Sequence, residues 1–255
     1  VSVREQGLRA LAAVAAVALV LGGLVAGGRL LREQLRPLDR FTIPFADIEC
    51  AAPPGLSRAD FLGEVQYISR LPDRVELLDD GLSAHLTAAF TRHPWVERVE
   101  GVQVGPGQVR VRLTLRVPVL AVPVSGGVRC ADAGGVLLPT LPAPAADELP
   151  RLAGRVPPPT EAAGQKWKDA AVRAAAATAG LLHPHRERLR LRAVEVSAGG
   201  QVRLELRDGR RVVWGRPPGQ ELPDEPEAAV KVERLLATTT TAADGGVIDL
   251  SKAGR

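Results

Sequence analysis

The chain has 255 residues, enough for one large or two small domains, and its 45% hydrophobic but only 3% aromatic content means a core of Val, Leu and Ala. Its net charge of +4 comes from arginines spread over strand faces rather than clustered, which excludes a dedicated nucleic-acid surface. Two cysteines, Cys50 and Cys130, are too few for a disulfide framework, and with no CxxC or His/Cys spacing they exclude a structural zinc site.

The run over residues 10–28 carries no charge and is nearly all Ala, Val, Leu and Gly. At 1.5 Å per residue a helix of that length spans roughly the ~30 Å hydrocarbon layer. It is longer than the apolar region of about 7–15 residues in a cleaved signal peptide, and Arg29 follows where a cleavage site would stand. It therefore reads as an uncleaved single-span anchor, with a short tail (1–9) before it and a juxtamembrane linker (29–40) after it. Arg4 and Arg9 precede the span, while Arg29, Arg32, Arg36 and Arg40 follow it. Flanking charge alone would keep the large domain inside, but long domains translocate largely regardless of it. The expected orientation has a cytoplasmic N-terminus and the bulk of the chain exported. Gly22-Gly23 and Gly27-Gly28 would allow close packing between spans. The chain has no Met, so an upstream start and an unusual initiator at Val1 both stay open.

Beyond the linker, residues 41–43 and 45–50 read as a first strand that ends at Pro53-Pro54-Gly55. Ser57, with Asp60 three residues on, caps a helix whose stripe is Phe61, Leu62, Val65 and Ile68. Residues 71–78 form a connector. Asp79 or Asp80 caps a second helix with Leu82, Leu86, Ala89 and Phe90 on its inner face. That helix stops at His93-Pro94, because proline pushes the residue before it out of the helical region. Trp95 and Val96 begin an extended run to Val104, and Gly105-Pro106-Gly107 is turn chemistry. Val109, Val111, Leu113, Leu115 and Val117 then alternate with Arg110, Arg112, Thr114 and Arg116, the period of a half-buried strand.

In the remainder, residues 128–132 and 136–138 flank Ala133-Gly134-Gly135 as a hairpin. Thr160 is expected to cap a helix whose face is Ala163, Trp167, Ala170, Ala174, Ala177 and Leu181. Residues 189–197, 201–206 and 211–215 read as strands, the last two joined by Asp208-Gly209, a two-residue hairpin signal. Pro226 suits the first turn of a final helix that carries Ala229, Val232, Leu235 and Leu236 on one side. Val247-Ile248-Asp249-Leu250 is the final strand.

The order strand, helix, helix, strand, strand after one apolar span, with Pro94-Trp95-Val96 at the exit of the second helix, looks like a POTRA domain. More narrowly, the chain resembles the FtsQ/DivIB family of bacterial cell-division proteins. The matching steps are His93-Pro94-Trp95-Val96, then Pro118-Val119-Leu120-Ala121, then Asp132 with Gly135. Leu149-Pro150 to Gly154, the Asp208-Gly209 turn, Lys231 and Val247 to Leu250 follow in the family's order. The chain departs from the pattern at Cys50-Ala51-Ala52, where a Gly is usual, at Leu115 before Arg116, where an acid is usual, and at Ser251, where Arg is usual.

The resemblance implies an α+β protein with a single N-terminal transmembrane helix (10–28), a POTRA domain of β-α-α-β-β order (41–122) and a β-rich domain with flanking helices (123–255). It implies a non-catalytic scaffold in the cytoplasmic membrane at the septum. Its partners would be other division proteins, including small single-span coiled-coil ones, with no nucleic acid, small-molecule substrate or cofactor. Val247, Ile248, Asp249 and Leu250 are the positions it assigns to partner binding, against plain sheet closure. Pro94, Trp95, Val96, Asp208 and Gly209 are structural. A POTRA module of secretion or outer-membrane assembly is the alternative; it calls for tandem modules or a barrel of ~10-residue strands, neither visible in the sequence. An anchored envelope hydrolase would need a reactive constellation. His85, His93, His183 and His185 form no triad or zinc spacing, and there is no GxSxG, Walker loop or HExxH. Cys50 and Cys130 can pair outside a reducing compartment or stand as two buried thiols.

Overall fold

The computed structural model describes residues 16–30, 41–154, 156–241 and 246–252. The chain divides into two compact units, one of Val1–Ala52, Ser57–Arg92 and Val99–Leu113, the other of Pro53–Leu56, His93–Arg98 and Thr114–Arg255.

Residues 16–30 form a helix, α1, whose large apolar side chains are exposed, Leu19 at 77% and Leu24 at 68%. Among the described residues no helix is long and apolar enough to cross a membrane. The expected span starts at Ala10, and residues 10–15 and 31–40 lie outside the described residues.

In the first unit β1 (Thr42–Pro44) pairs antiparallel with β2 (Arg74–Glu76), with Ile43 opposite Val75. A 3-10 turn at Phe45–Asp47 interrupts the strand expected there; the Phe45 N–H donates to Asp73 O at 2.8 Å, so the chain bends away after Pro44. It straightens again at Glu49, which lies parallel to β4 (Gln108–Leu115) and exchanges hydrogen bonds with Val109 O and Val111 N at 2.9 and 2.8 Å. β3 (Val96–Gly105) completes the hairpin with β4; Gly107, at φ 72°, holds the turn position that needs a left-handed residue. Helix α2 (Arg58–Ser69) starts where Ser57 Oγ accepts from the Asp60 N–H at 3.1 Å. Helix α3 (Leu82–Thr91) begins after Gly81 rather than under an aspartate cap, although Asp79 Oδ1 accepts from the Gly81 N–H at 3.0 Å. The core of the unit is aromatic at its centre: Phe90 stands 6.4 Å from Phe45 and 6.0 Å from Phe61, and all three are buried. Full burial of each such ring is worth about 2–3 kcal/mol. The segment expected as a plain connector, 71–78, contains β2, because Arg70 turns left-handed (φ 54°) and returns the chain beside β1.

The second unit is built on a seven-stranded sheet in the order β11-β10-β9-β8-β7-β5-β6. Its strands are β5 (Pro118–Val124), β6 (Gly127–Asp132), β7 (Arg151–Leu152), β8 (Leu191–Val196), β9 (Val202–Leu206), β10 (Arg211–Gly215) and β11 (Val247–Asp249). Short helices α4 (Ala143–Asp147) and α6 (Arg186–Leu189) sit in connections, while α5 (Ala170–Leu182) and α7 (Ala228–Thr241) are the long ones. One face of the sheet, with Leu120, Leu152, Val194, Leu204, Val212 and Trp214, forms a single core with α5 and α7. Residues 118–122, expected to close the first domain, belong to β5, which lies between β7 and β6 in this sheet.

Helix α5 starts nine residues later than expected. Asp169, not Thr160, is its cap, accepting from the Ala171 and Val172 N–H groups at 2.8 and 3.1 Å. Gly164 prevents an earlier start: its φ is 89°, and a side chain there would come within 3.1 Å of Pro94 Cα. The buried face of α5 is consequently Val172, Ala175, Ala176, Ala179 and Leu182, not the series through Ala174, Ala177 and Leu181. On α7 the expected inner residue Ala229 is exposed, whereas Val232 and Leu235 are buried as expected.

Candidate docking edge

The seven-stranded sheet has two edges. At β6 the following segment covers the outer backbone: Leu138 N–H donates to Cys130 O at 2.9 Å and Asp132 N–H to Val136 O at 3.1 Å. At β11 no strand lies beyond it among the described residues. The pairing with β10 is parallel, Arg211 opposite Val247 and Val213 opposite Asp249. Arg211 N–H donates to Gly246 O at 3.3 Å and Leu250 N–H to Val213 O at 2.8 Å. In a parallel ladder of this register the groups of Gly246 O, Ile248 and Leu250 N–H face β10, and the N–H and C=O of Val247 and Asp249 face outward. An outward row of this kind is a template for another strand.

The four residues singled out at the sequence level thus divide. Val247 is 69% exposed and Asp249 is exposed, with their backbone groups outward. Ile248 is half-buried and directed to the ladder, and Leu250 is 3% exposed, a member of the core. The Asp249 carboxylate accepts from Ser251 Oγ at 2.6 Å and Ser251 N–H at 3.0 Å, and the side-chain bond above all holds its pKa below the ordinary value. The pair lies at the end of the strand, where the pattern that the sequence resembles has Arg in place of Ser251.

Beside β11 lies the helix-free face of the sheet. Arg151, Ala193, Glu205, Arg211 and Val247 stand in one row across β7 to β11, and Glu195, Arg203, Val213 and Asp249 form the next. All of these but Arg151 and Asp249 line a trough of about 450 Å³. Both of its carboxylates are paired, Glu205 with Arg192 at 3.0 Å and Glu195 with Arg203 at 3.8 Å.

What holds β10 and β11 at this edge is a buried polar knot that sequence reading missed. Lys231 on α7 is fully buried, its Nζ 2.6 Å from Glu225 Oε1 and 5.3 Å above the Trp214 ring. Glu225 Oε1 also accepts from the Arg216 N–H at 2.7 Å, and Oε2 from the Leu222 N–H at 3.2 Å. Burial by itself pushes the Glu225 carboxyl up; the Lys231 and backbone donors outweigh it and hold its pKa below the usual range. Gly215 makes the approach possible: at φ 93°, a Cβ there would fall 1.9 Å from Glu225 Oε1 and 3.0 Å from Ser251 Cβ. The sequence clue was the Pro- and Glu-rich loop ahead of a helix carrying one Lys among apolar positions. Nothing local tells such a lysine from a solvated one.

The structural residues occupy the second unit. Trp95 is buried with Cys130, Leu138, Leu141 and Ala146. Its C=O accepts from the Arg116 N–H at 2.9 Å, and Arg116 pairs with Asp132 at 2.7 Å with both side chains largely buried. Asp132 Oδ1 in turn accepts from the Val136 N–H at 2.8 Å. Three widely separated sequence steps therefore meet at one point. Val96 is buried, and Pro94 packs against Gly164. The Asp208-Gly209 turn differs from the expected two-residue form. Leu206 and Arg210 form the closing pair, Gly209 alone has positive φ (86°), and the loop has three residues. The Asp208 carboxylate accepts from Arg210 Nε at 2.8 Å, a bond that lowers its pKa.

Among the described residues no three His, Cys, Asp or Glu side chains gather as a metal site. Cys50 and Cys130 are free thiols, each raised by burial to a pKa of about 11, with Arg58 opposing the rise at Cys50.

The family model for the cell division protein FtsQ/DivIB, C-terminal, matches residues 122–251, just over half the chain. The match begins inside β5 and runs through α7 to the end of β11. No curated protein matches the chain. The chain belongs to the FtsQ/DivIB family of cell division proteins.

Proposed function

We propose that this chain is a non-catalytic, membrane-tethered scaffold of the bacterial division machinery that holds a partner protein by strand addition along β11. The observation that carries the reading is the outward backbone of Val247 and Asp249 on a sheet whose other edge is covered. Family membership supports the division role. The uncharged run 10–28 supports a single membrane span with the bulk of the chain exported. The two helices, the β3–β4 hairpin and the parallel Glu49–Arg110 bridge support a POTRA domain in the first unit. The partners are other division proteins, including small single-span coiled-coil ones, each offering an extended segment to the edge.

Val247→Pro tests this. It removes one outward N–H and leaves every hydrogen bond to β10 in place. The tagged full chain carrying Val247→Pro is expected to lose its co-purifying division proteins while its Tm stays within about 2 °C of the parent. Unchanged recovery of those proteins, or recovery of outer-membrane assembly components in their place, would reject the reading.

A further inference from the structure

A second surface of the same unit is unused by the β11 edge. Across one end of the sheet, past the starts of β5, β7 and β8 and the end of β9, runs a groove of about 440 Å³, inside the roughly 300–1,000 Å³ typical of ligand sites. Its floor includes Val117, Pro118, Leu149, Pro150 and Leu191. Val117 is 51% exposed although it continues the apolar alternation of β4, so the groove leaves a core-type side chain in water. Strands about 4.8 Å apart make the groove roughly 14 Å long, the length of about nine helical residues.

The rim is charged with a direction. Arg190 precedes β8 and Arg207 follows β9; the Arg207 N–H donates to Arg190 O at 2.9 Å, so the two side chains leave adjacent points of the backbone. Neither guanidinium has a hydrogen-bond or ion-pair partner among the described residues. Arg186 and Glu187 stand 4.0 Å apart on α6, and Glu148 lies toward β7. The pKa of His183 is lowered by burial and then by the Arg186 charge. Arg190 also sits in the left-handed region, at φ 47°, where glycine would carry no steric cost. An arginine held in the left-handed region, with no hydrogen-bond or ion-pair partner for its guanidinium among the described residues, suits a charge held for another molecule.

We infer that this groove docks a short amphipathic segment of a partner protein, with an Asp or Glu between Arg190 and Arg207 and bulky apolar side chains on the Val117–Leu149 floor. The pairing is a charge-assisted one of the kind arginine makes with carboxylates.

The probe is a fluorescein-labelled ten-residue peptide with two glutamates at one end and leucines at helical spacing, titrated into the detergent-solubilised full chain. A lysine-for-glutamate peptide is its counterpart. The glutamate peptide is expected to bind about tenfold or more tighter than the lysine peptide. Arg190→Gly is expected to weaken it by about tenfold with Tm unchanged or raised, because the left-handed strain is relieved. Arg207→Glu weakens it likewise, whereas Arg203→Glu on the helix-free face and Val247→Pro leave it unchanged. No binding, equal binding of the two peptides, or an Arg190→Gly variant that binds normally or loses affinity only with a fall in Tm would overturn the inference. Anionic phospholipid vesicles that bind through these arginines when the peptide does not would overturn it too, in favour of a lipid surface.

Discussion

Lys231 is a lysine without access to water, and its partner Glu225 has a side chain only 4% exposed. Such a pair gives little net stability relative to a well-packed apolar one, but breaking it leaves an uncompensated buried charge. Lys231→Met is therefore expected to cost about 3–5 kcal/mol in denaturant unfolding. Its pH dependence has a definite sign. The folded pKa of Glu225 lies below its unfolded value, so its stabilisation is fully present above the ordinary carboxylate range of about 4.3 and is lost as pH falls through the folded value. Tm measured from pH 7 down to pH 3 should fall more steeply for the parent chain than for Glu225→Gln. Parallel curves would show that the carboxylate is not the titrating group.

At the scale of elements, what could be read ahead was local. The Ser57 cap works because its hydroxyl and the Asp60 N–H are three residues apart. The Gly105–Gly107 turn and the alternation through Val109 and Val111 also appear as read, since turn chemistry and period two are written within a few residues. The failures share another cause. β2 looks like connector because three residues carry no period of their own, and only pairing with β1 makes them a strand. The start of α5 is set by Gly164 against Pro94, residues far apart in the chain. Gly180 belongs to the same class: its added Cβ would lie 2.3 Å from the Cβ of Ala133, so the helix can pass that turn only with hydrogen at this position. At the docking edge, the sequence located the strand, but which of its residues faces outward depends on the parallel register with β10. The knot of Lys231, Glu225 and Gly215 left only a Pro- and Glu-rich loop and a lysine among apolar positions, and neither says that the lysine is buried.

For the whole molecule, the division into two units reassigns the proline-tryptophan step. Trp95 follows the last helix of the first unit in sequence, yet it is buried in a cluster of second-unit side chains. Trp95→Ala is expected to cost about 3–5 kcal/mol, and hydrogen exchange should show the loss in β5 and β6 while the amides of α2 and α3 keep their protection. Equal loss in α2 and α3 would mean that the tryptophan supports the first unit instead.

The central claim is that β11 presents a bare edge to another chain, and residue-resolved hydrogen exchange reads it directly. In the full chain alone, the Val247 and Asp249 amides should exchange quickly while those of Ile248 and Leu250 are protected by β10. In complex with the division proteins that co-purify with the chain, Val247 and Asp249 should become protected and Ile248 and Leu250 should stay so. Fast exchange at Val247 and Asp249 in the complex as well as alone would contradict strand addition at this edge.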